Sequence, residues 1–315
     1  MTDNKNIQER FENFISSLSI PRHIRSDIQK AVLKLVENLK KVVNTTIFPI
    51  QKTRSKIRNA IVLRGHQFGG SYDRGTYIRK ASDIDIYIIY EEQPAMERLK
   101  KAMNAKNKGS AQEYRGEILF KTLRHQLKKI RLSIRRNLVV KNPPYRHAIK
   151  TKMRYANKNI KLDLVPAIDL HEDGNLLIPN TIKNIVKVNP TKEENALKKF
   201  NNRTKGKGTK MIRLVKAWNN HWQGKIVSYI LERLVMQVFK NRQIENWDKA
   251  LRTFFNESIR LINERATMPD KVYSHKSILD DYNESYLLEI LEQLKKAKIN
   301  ADKSEWVKIF GTGRI

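Results

Sequence analysis

The stretch GHQFGGSYDRGTYIRKASDIDIYIIY, residues 65–90, decides how the rest of this chain reads. It predicts a short strand ending at Leu63 and a Gly-Gly-Ser turn at residues 69–71. A brief helical segment follows, then a strand in which Asp83, Asp85 and Tyr87 alternate with Ile84, Ile86 and Ile88. Side chains two apart on a strand share a face, so Asp83 and Asp85 point together above the sheet while the isoleucines go beneath it. Two carboxylates at that spacing repel each other, and the usual remedy is a divalent cation. Gly69 and Gly70 let the backbone come close to a ligand. The amides at the start of the helix after Ser71, with the serine hydroxyl, offer donors to phosphate oxygens. A phosphate cradle followed by a paired-carboxylate strand suits a metal-bound nucleoside triphosphate.

Outward from that stretch, residues 7–18 place Phe11, Phe14, Ile15 and Leu18 at helical spacing, and Pro21 ends the helix. Residues 24–43 form a longer helix with Ile28, Val32, Leu35, Val36, Leu39 and Val43 on one face. After a polar loop at residues 103–110, residues 117–136 read as a helix with Leu119, Leu123, Leu127, Ile130 and Ile134 as its apolar stripe. On a neighbouring face Lys121, Arg124, Lys128, Arg131 and Arg135 recur at steps of three and four, a basic ridge.

That ridge belongs to a larger asymmetry. The 315 residues hold 63 Lys and Arg against 32 Asp and Glu, a net charge of +31. Residues 121–161 contain 14 Lys or Arg and no acid, and residues 195–231 a further 9 with no acid, so the basic surface is concentrated. Between the two gaps lies Asp163, in NIKLDLVPAIDL, on a strand pattern that Pro166 is expected to terminate. A third carboxylate on a strand edge is what a two-metal site needs to complete its ligands.

GGS, then DIDIY, then KLDLVPA resembles the polymerase-beta-like nucleotidyltransferase superfamily. GS-x-x-x-GT at residues 70–76 with DLVPA at residues 163–167 resembles the bacterial cGAS-like CD-NTases and the 2'-5' oligoadenylate synthases. IRLVKAWN at residues 212–219, KIVSYILERL at residues 225–234 and SEWVKIFGTG at residues 304–313 are similar to helical-lobe segments of CD-NTases. The resemblance implies an α/β (α+β) fold: a nucleotidyltransferase lobe with a mixed twisted sheet and N-terminal spine helices over residues 1–189, a helical lobe over residues 190–315, and an active site in the cleft between them. It further implies that Gly70 and Ser71 hold triphosphate and that Asp83, Asp85 and Asp163 are catalytic and bind two Mg2+ ions, or Mn2+ in their place. Lys216 and Ser228 would then contact phosphates and Tyr229 would stack on a base. Lys216 lies off the stripe of Met211, Leu214, Val215 and Trp218, so its ammonium is expected to reach the cleft.

The activity so implied is the joining of nucleoside triphosphates, ATP or GTP among them, into a cyclic or short linear oligonucleotide for a downstream effector in antiphage signalling. With no cysteine, a Cys-ligated zinc element for duplex DNA is excluded, as are disulfides and thiolate nucleophiles. The basic ridge, with Lys205 and Lys207 in the Lys-rich segment 198–210, is instead the expected site for double-stranded or structured RNA as activator. Two alternatives stand beside this one: a template-independent transferase extending an RNA end, and a non-catalytic RNA-binding protein on the same scaffold. No run long enough to cross a membrane and no apolar leader are present, so the protein is expected in the cytoplasm.

Overall fold

Ile84, Ile86, Ile88 and Tyr90 are buried along one strand, while Asp85, Tyr87 and Ile89 between them stay half-exposed, the alternation that a sheet with one packed face demands. The structure is a computed structural model that describes residues 2–43, 47–49, 56–58, 61–78, 83–94, 111–133, 138–140, 148–155, 158–179, 185–224, 226–265 and 278–311. The loop expected at residues 103–110 lies outside them.

The chain opens with helices α1 (Thr2–Leu18) and α2 (Arg22–Val43), a small hairpin of β1 (Ile47–Pro49) and β2 (Lys56–Arg58), then β3 (Ile61–Phe68), α3 (Gly70–Asp73) and β4 (Ile84–Glu92). There follow α4 (Ala111–Ser133), β5 (Leu138–Val140), β6 (Ile149–Tyr155), β7 (Lys158–Asp169), β8 (Leu176–Pro179) and β9 (Ile185–Val188). The remainder is helical: α5 (Pro190–Arg203), α6 (Gly208–His221), α7 (Ser228–Val238), α8 (Trp247–Asn263), α9 (Glu284–Asp302) and α10 (Trp306–Phe310), with a 3-10 turn at Ile278–Asp281.

Two compact units emerge. The first, Pro21–Asp73 with Asp83–Thr191, contains the seven-stranded sheet in the order β3-β4-β7-β6-β5, with β8 pairing β7 and β9 pairing β8. Among the described residues only β4 and β7 run parallel, which makes the sheet mixed. Beneath it, α2 buries Ile28, Val32, Leu35 and Leu39 and packs against α4, which buries Leu119, Leu123, Leu127 and Ile130. The Tyr90 hydroxyl donates to Gln126 Oε1 at 2.6 Å, and burial pushes its pKa upward, so the phenol stays a neutral donor.

The second unit joins Met1–Ile20 and Arg74–Ser82 to Lys192–Ile315 around a core that includes Trp218, Trp247, Phe254, Phe255 and Phe310. The sequence grouped α1 with residues 1–189, but its aromatic face packs here: Phe11 meets the Trp306 ring edge-on at 5.4 Å and Phe14 meets Phe310 at 5.5 Å. Periodicity identifies an apolar face without naming what covers it.

Two strand limits also differ from expectation. β3 runs past Leu63 to Phe68 because its partner β4 is long enough to pair with it on both sides of a register shift at residues 63–65. β7 continues through Pro166. That residue falls after β6 stops pairing at Leu164 and before β8 starts at Ile168, so its missing N–H breaks no ladder on that side. Among the described residues no helix is long and apolar enough to cross a membrane.

Candidate active site

The first carboxylate pair is placed by register. Asp85 on β4 lies beside Asp163 on the parallel strand β7, and Asp163 in turn faces Lys150 on the antiparallel strand β6. Directly paired residues project on the same face, so three neighbouring strands present carboxylate, carboxylate and ammonium in a row. Asp83 joins them from the residue just before β4. The Lys150 ammonium reaches both acids, 2.9 Å from Asp83 Oδ2 and 3.3 Å from Asp163 Oδ2. Burial draws the Lys150 pKa down, but the two carboxylates outweigh that and hold it above the ordinary lysine range, so the group stays charged. Farther along this face Tyr87 and Ile89 close over Val165 and Ala167, giving the charged end an apolar neighbour.

The glycine turn is fitted to this face. Gly70 has φ +57°, a left-handed conformation, and a Cβ there would overlap the Asp85 carboxylate; a Cβ at Gly69 would overlap the Tyr87 ring. The Gly69 amide donates to the Asp85 carbonyl at 3.0 Å, which ties the turn to β4. Tyr72, buried in α3, packs on Phe68 with ring centroids 5.0 Å apart and donates to the Arg25 carbonyl at 3.4 Å. Ser71 follows Gly70 and is half-buried. The turn therefore brings Gly70 beside Asp85, within the same unit, with Ser71 the next residue in the chain.

A divalent metal fits this donor set. The oxygens of Asp83 and Asp163 already converge on one cationic atom, and carboxylate oxygen is the donor that Mg2+ and Mn2+ take. Among the described residues no group of three His, Cys, Asp or Glu side chains stands ready-made around a metal position. The converging acids enclose Lys150 instead. Sequence reasoning missed that residue, counting it only as one charge in a basic run. The signal lay in strand pairing, which puts it opposite Asp163.

In the helical unit the structure redraws the expectation for Lys216. The residue is 2 % exposed, and its ammonium lies 2.6 Å from Glu232 Oε1 and 3.2 Å from Thr76 Oγ1. Arg74 donates from Nε to Glu232 Oε2 at 3.1 Å and from Nη1 to Glu193 at 2.9 Å, and the Thr76 hydroxyl donates to Glu232 at 2.7 Å. Burial would raise the Glu232 pKa, yet Arg74 and Lys216 hold it well below the usual carboxylate range. Position 216 is off the apolar stripe, but α6 is buried there too. Ser228 is exposed at the start of α7. Tyr229 is half-buried, with the Arg233 guanidinium 4.8 Å from its ring centre and donating to its hydroxyl at 2.8 Å.

Of the basic residues, Lys121 and Lys128 are exposed on α4 and Arg124 is half-buried. Arg135 and the side chain of Arg131 lie outside the described residues. Lys205 is exposed, in a left-handed turn with φ 51°. Lys207 is half-buried and donates to the Glu245 carbonyl at 2.8 Å, with its ammonium 5.7 Å from the Trp247 ring centre.

Residues 66–200 match the family described as nucleotidyltransferase domain, a span that takes in the glycine turn and all three carboxylates. A probable cyclic nucleotide synthase from Bacillus cereus (strain VD146) is 25% identical over 197 residues, an alignment that spans 59% of this chain and 59% of that protein. Among solved structures, CdnC of E. coli MS115-1 in its complex with HORMA-deltaN superposes with a TM-score of 0.67 at 14% identity, covering 97% of each chain. The Vibrio cholerae DncV cyclic AMP-GMP synthase, a prokaryotic cGAS homolog, gives a TM-score of 0.67 at 12% identity, covering 98% of this chain and 97% of that one. The nucleotidyltransferase domain match falls largely on the unit that carries the mixed sheet. CdnC and DncV, each matched over nearly the whole chain, share its fold.

Proposed function

We propose that this protein joins nucleoside triphosphates, ATP or GTP among them, into a cyclic or short linear oligonucleotide. The observation that carries the reading is the face on which Asp85 and Asp163 stand in register beside Asp83, with Gly70 close against Asp85 and Ser71 next to it in the chain. Support for the substrate class comes from two relatives described as a probable cyclic nucleotide synthase and a cyclic AMP-GMP synthase.

In this scheme Asp83, Asp85 and Asp163 hold two Mg2+ ions, with Mn2+ as a substitute. Bound there, such ions supply Lewis acidity toward an attacking hydroxyl and charge neutralisation toward pyrophosphate. The chain's own groups do the rest. The Gly70 backbone and the Ser71 hydroxyl orient the triphosphate, and Asp163 receives the proton that the acceptor ribose hydroxyl gives up as it attacks the α-phosphorus and pyrophosphate departs. The exposed Lys121 and Lys128 on α4, and Lys205 in the helical unit, supply basic surface for double-stranded or structured RNA as an activator. The product serves antiphage signalling in the cytoplasm by engaging an oligonucleotide-sensing effector.

Incubating the protein with the four ribonucleoside triphosphates and Mg2+, with and without double-stranded RNA, and reading products by mass spectrometry tests the whole proposal. A phosphatase-resistant cyclic oligonucleotide is the expected product, and its dependence on RNA decides the activator. Nucleotides added to the RNA with no small product would replace the synthase reading with an end-extending transferase.

A further inference from the structure

Lys150 occupies a place that a simple metal site would leave to the metal. Its side chain is 34% exposed, Asp83 32% and Asp163 17%, and one ammonium spans the two acids. Strand register enforces the arrangement, since Lys150 is the direct partner of Asp163 across β6 and β7. Lys152, two residues on and therefore on the same face, is exposed and faces Lys161, whereas Lys150 is the lysine that bridges Asp83 and Asp163.

We infer that Lys150 is the resident counter-ion of the carboxylate face: its ammonium holds Asp83 and Asp163 together in the metal-free protein and has to swing aside for a divalent cation to bind. A lysine suits the task because its compact charge sits on a flexible four-carbon stem, whereas an arginine fork would lock both acids. Its partial exposure leaves it a path toward solvent. Two consequences follow. The acids do not depend on metal to stay close, and metal affinity is set by a competition that Lys150 opposes. The inference rests on the reading of Asp83, Asp85 and Asp163 as metal ligands.

The test uses the full chain and Mn2+ alone, without nucleotide. Mn2+ affinity is measured by electron paramagnetic resonance, and thermal unfolding is followed in EDTA and in Mn2+, for the wild type, Lys150→Met, Lys150→Arg, Lys152→Met and Asp163→Asn. Lys150→Met should bind Mn2+ roughly tenfold tighter, the effect of removing a competing partly exposed ion pair. It should also melt lower than wild type in EDTA and recover in Mn2+. Lys150→Arg should keep the wild-type melting temperature in EDTA, and Lys152→Met should match wild type throughout, which separates displacement from the loss of any nearby positive charge. Should Lys150→Met fail to fold, Lys150→Gln makes the same comparison. Equal or weaker Mn2+ binding in the Lys150 variant, with Asp163→Asn abolishing binding, overturns the inference and leaves the metal reading standing. Binding that survives Asp163→Asn, or that is absent from every protein, overturns both.

Discussion

The Lys216 ammonium lies 2.6 Å from the Glu232 carboxylate, and both side chains are almost entirely enclosed by the helical unit. Arg74 and Thr76 complete the cluster, so a segment that follows the glycine turn in sequence is fastened to α6 and α7 by buried charge. Such a cluster fixes position more than it adds net stability, because desolvation offsets much of the attraction.

Removing one member is a different matter, since it strands the others. Lys216→Met and Glu232→Gln should each destabilise the protein by about 3–5 kcal/mol, measured by urea unfolding. The sign of the pH dependence follows from Glu232. Its folded pKa is lowered, so its contribution is complete above the ordinary carboxyl value of 4.5 and is lost as pH falls toward the folded value. The stability gap between wild type and Glu232→Gln should therefore be large at about pH 7 and shrink at about pH 3.

Asp83→Asn, Asp85→Asn and Asp163→Asn should each lower nucleotide transfer more than about tenfold, because even the residues supporting metal ligands cost about 10–100-fold when removed. All three positions are partly exposed, so circular dichroism and melting temperature should change little. Full activity in any of the three removes that residue from the ligand set.

Gly70→Ala and Gly75→Ala form a matched pair. Both glycines have positive φ, +57° and +69°, so each substitution should cost about 1 kcal/mol or more in backbone strain. Only at Gly70 does the new methyl meet the Asp85 carboxylate; among the described residues nothing lies within 4 Å at Gly75. Calorimetry should find both destabilised, while product formation should collapse in Gly70→Ala alone.

Charge reversal at Lys121 and Lys128 tests the RNA surface without touching the carboxylates. Fluorescence anisotropy with labelled double-stranded RNA, between about 50 mM and about 200 mM salt, should show weaker binding and a salt slope smaller by about one for each phosphate no longer neutralised. Unchanged affinity and slope would take α4 out of the RNA reading.

The helices and the site strand were legible in the sequence because each depends on a local period. Ile84, Ile86 and Ile88 alternate, and Leu119, Leu123 and Leu127 recur at helical spacing, so the chain could be cut into elements from its own pattern. The end of β7 was misjudged because whether Pro166 interrupts a strand depends on where the neighbouring strands begin and stop. Lys216 was misplaced because an off-stripe position on a helical wheel can still be covered by another segment, here the one containing Thr76.

By itself, the sequence determined which residues share a strand face and which turn requires glycine, since pleat and left-handed φ are properties of a few consecutive residues. Tertiary structure decided the rest. Asp85, Asp163 and Lys150 come into one row only through the lateral register of β4, β7 and β6, and Glu232 meets Lys216 and Arg74 only when distant segments bury together. Register and burial are set by the summed packing of the whole unit, and no local window contains that sum.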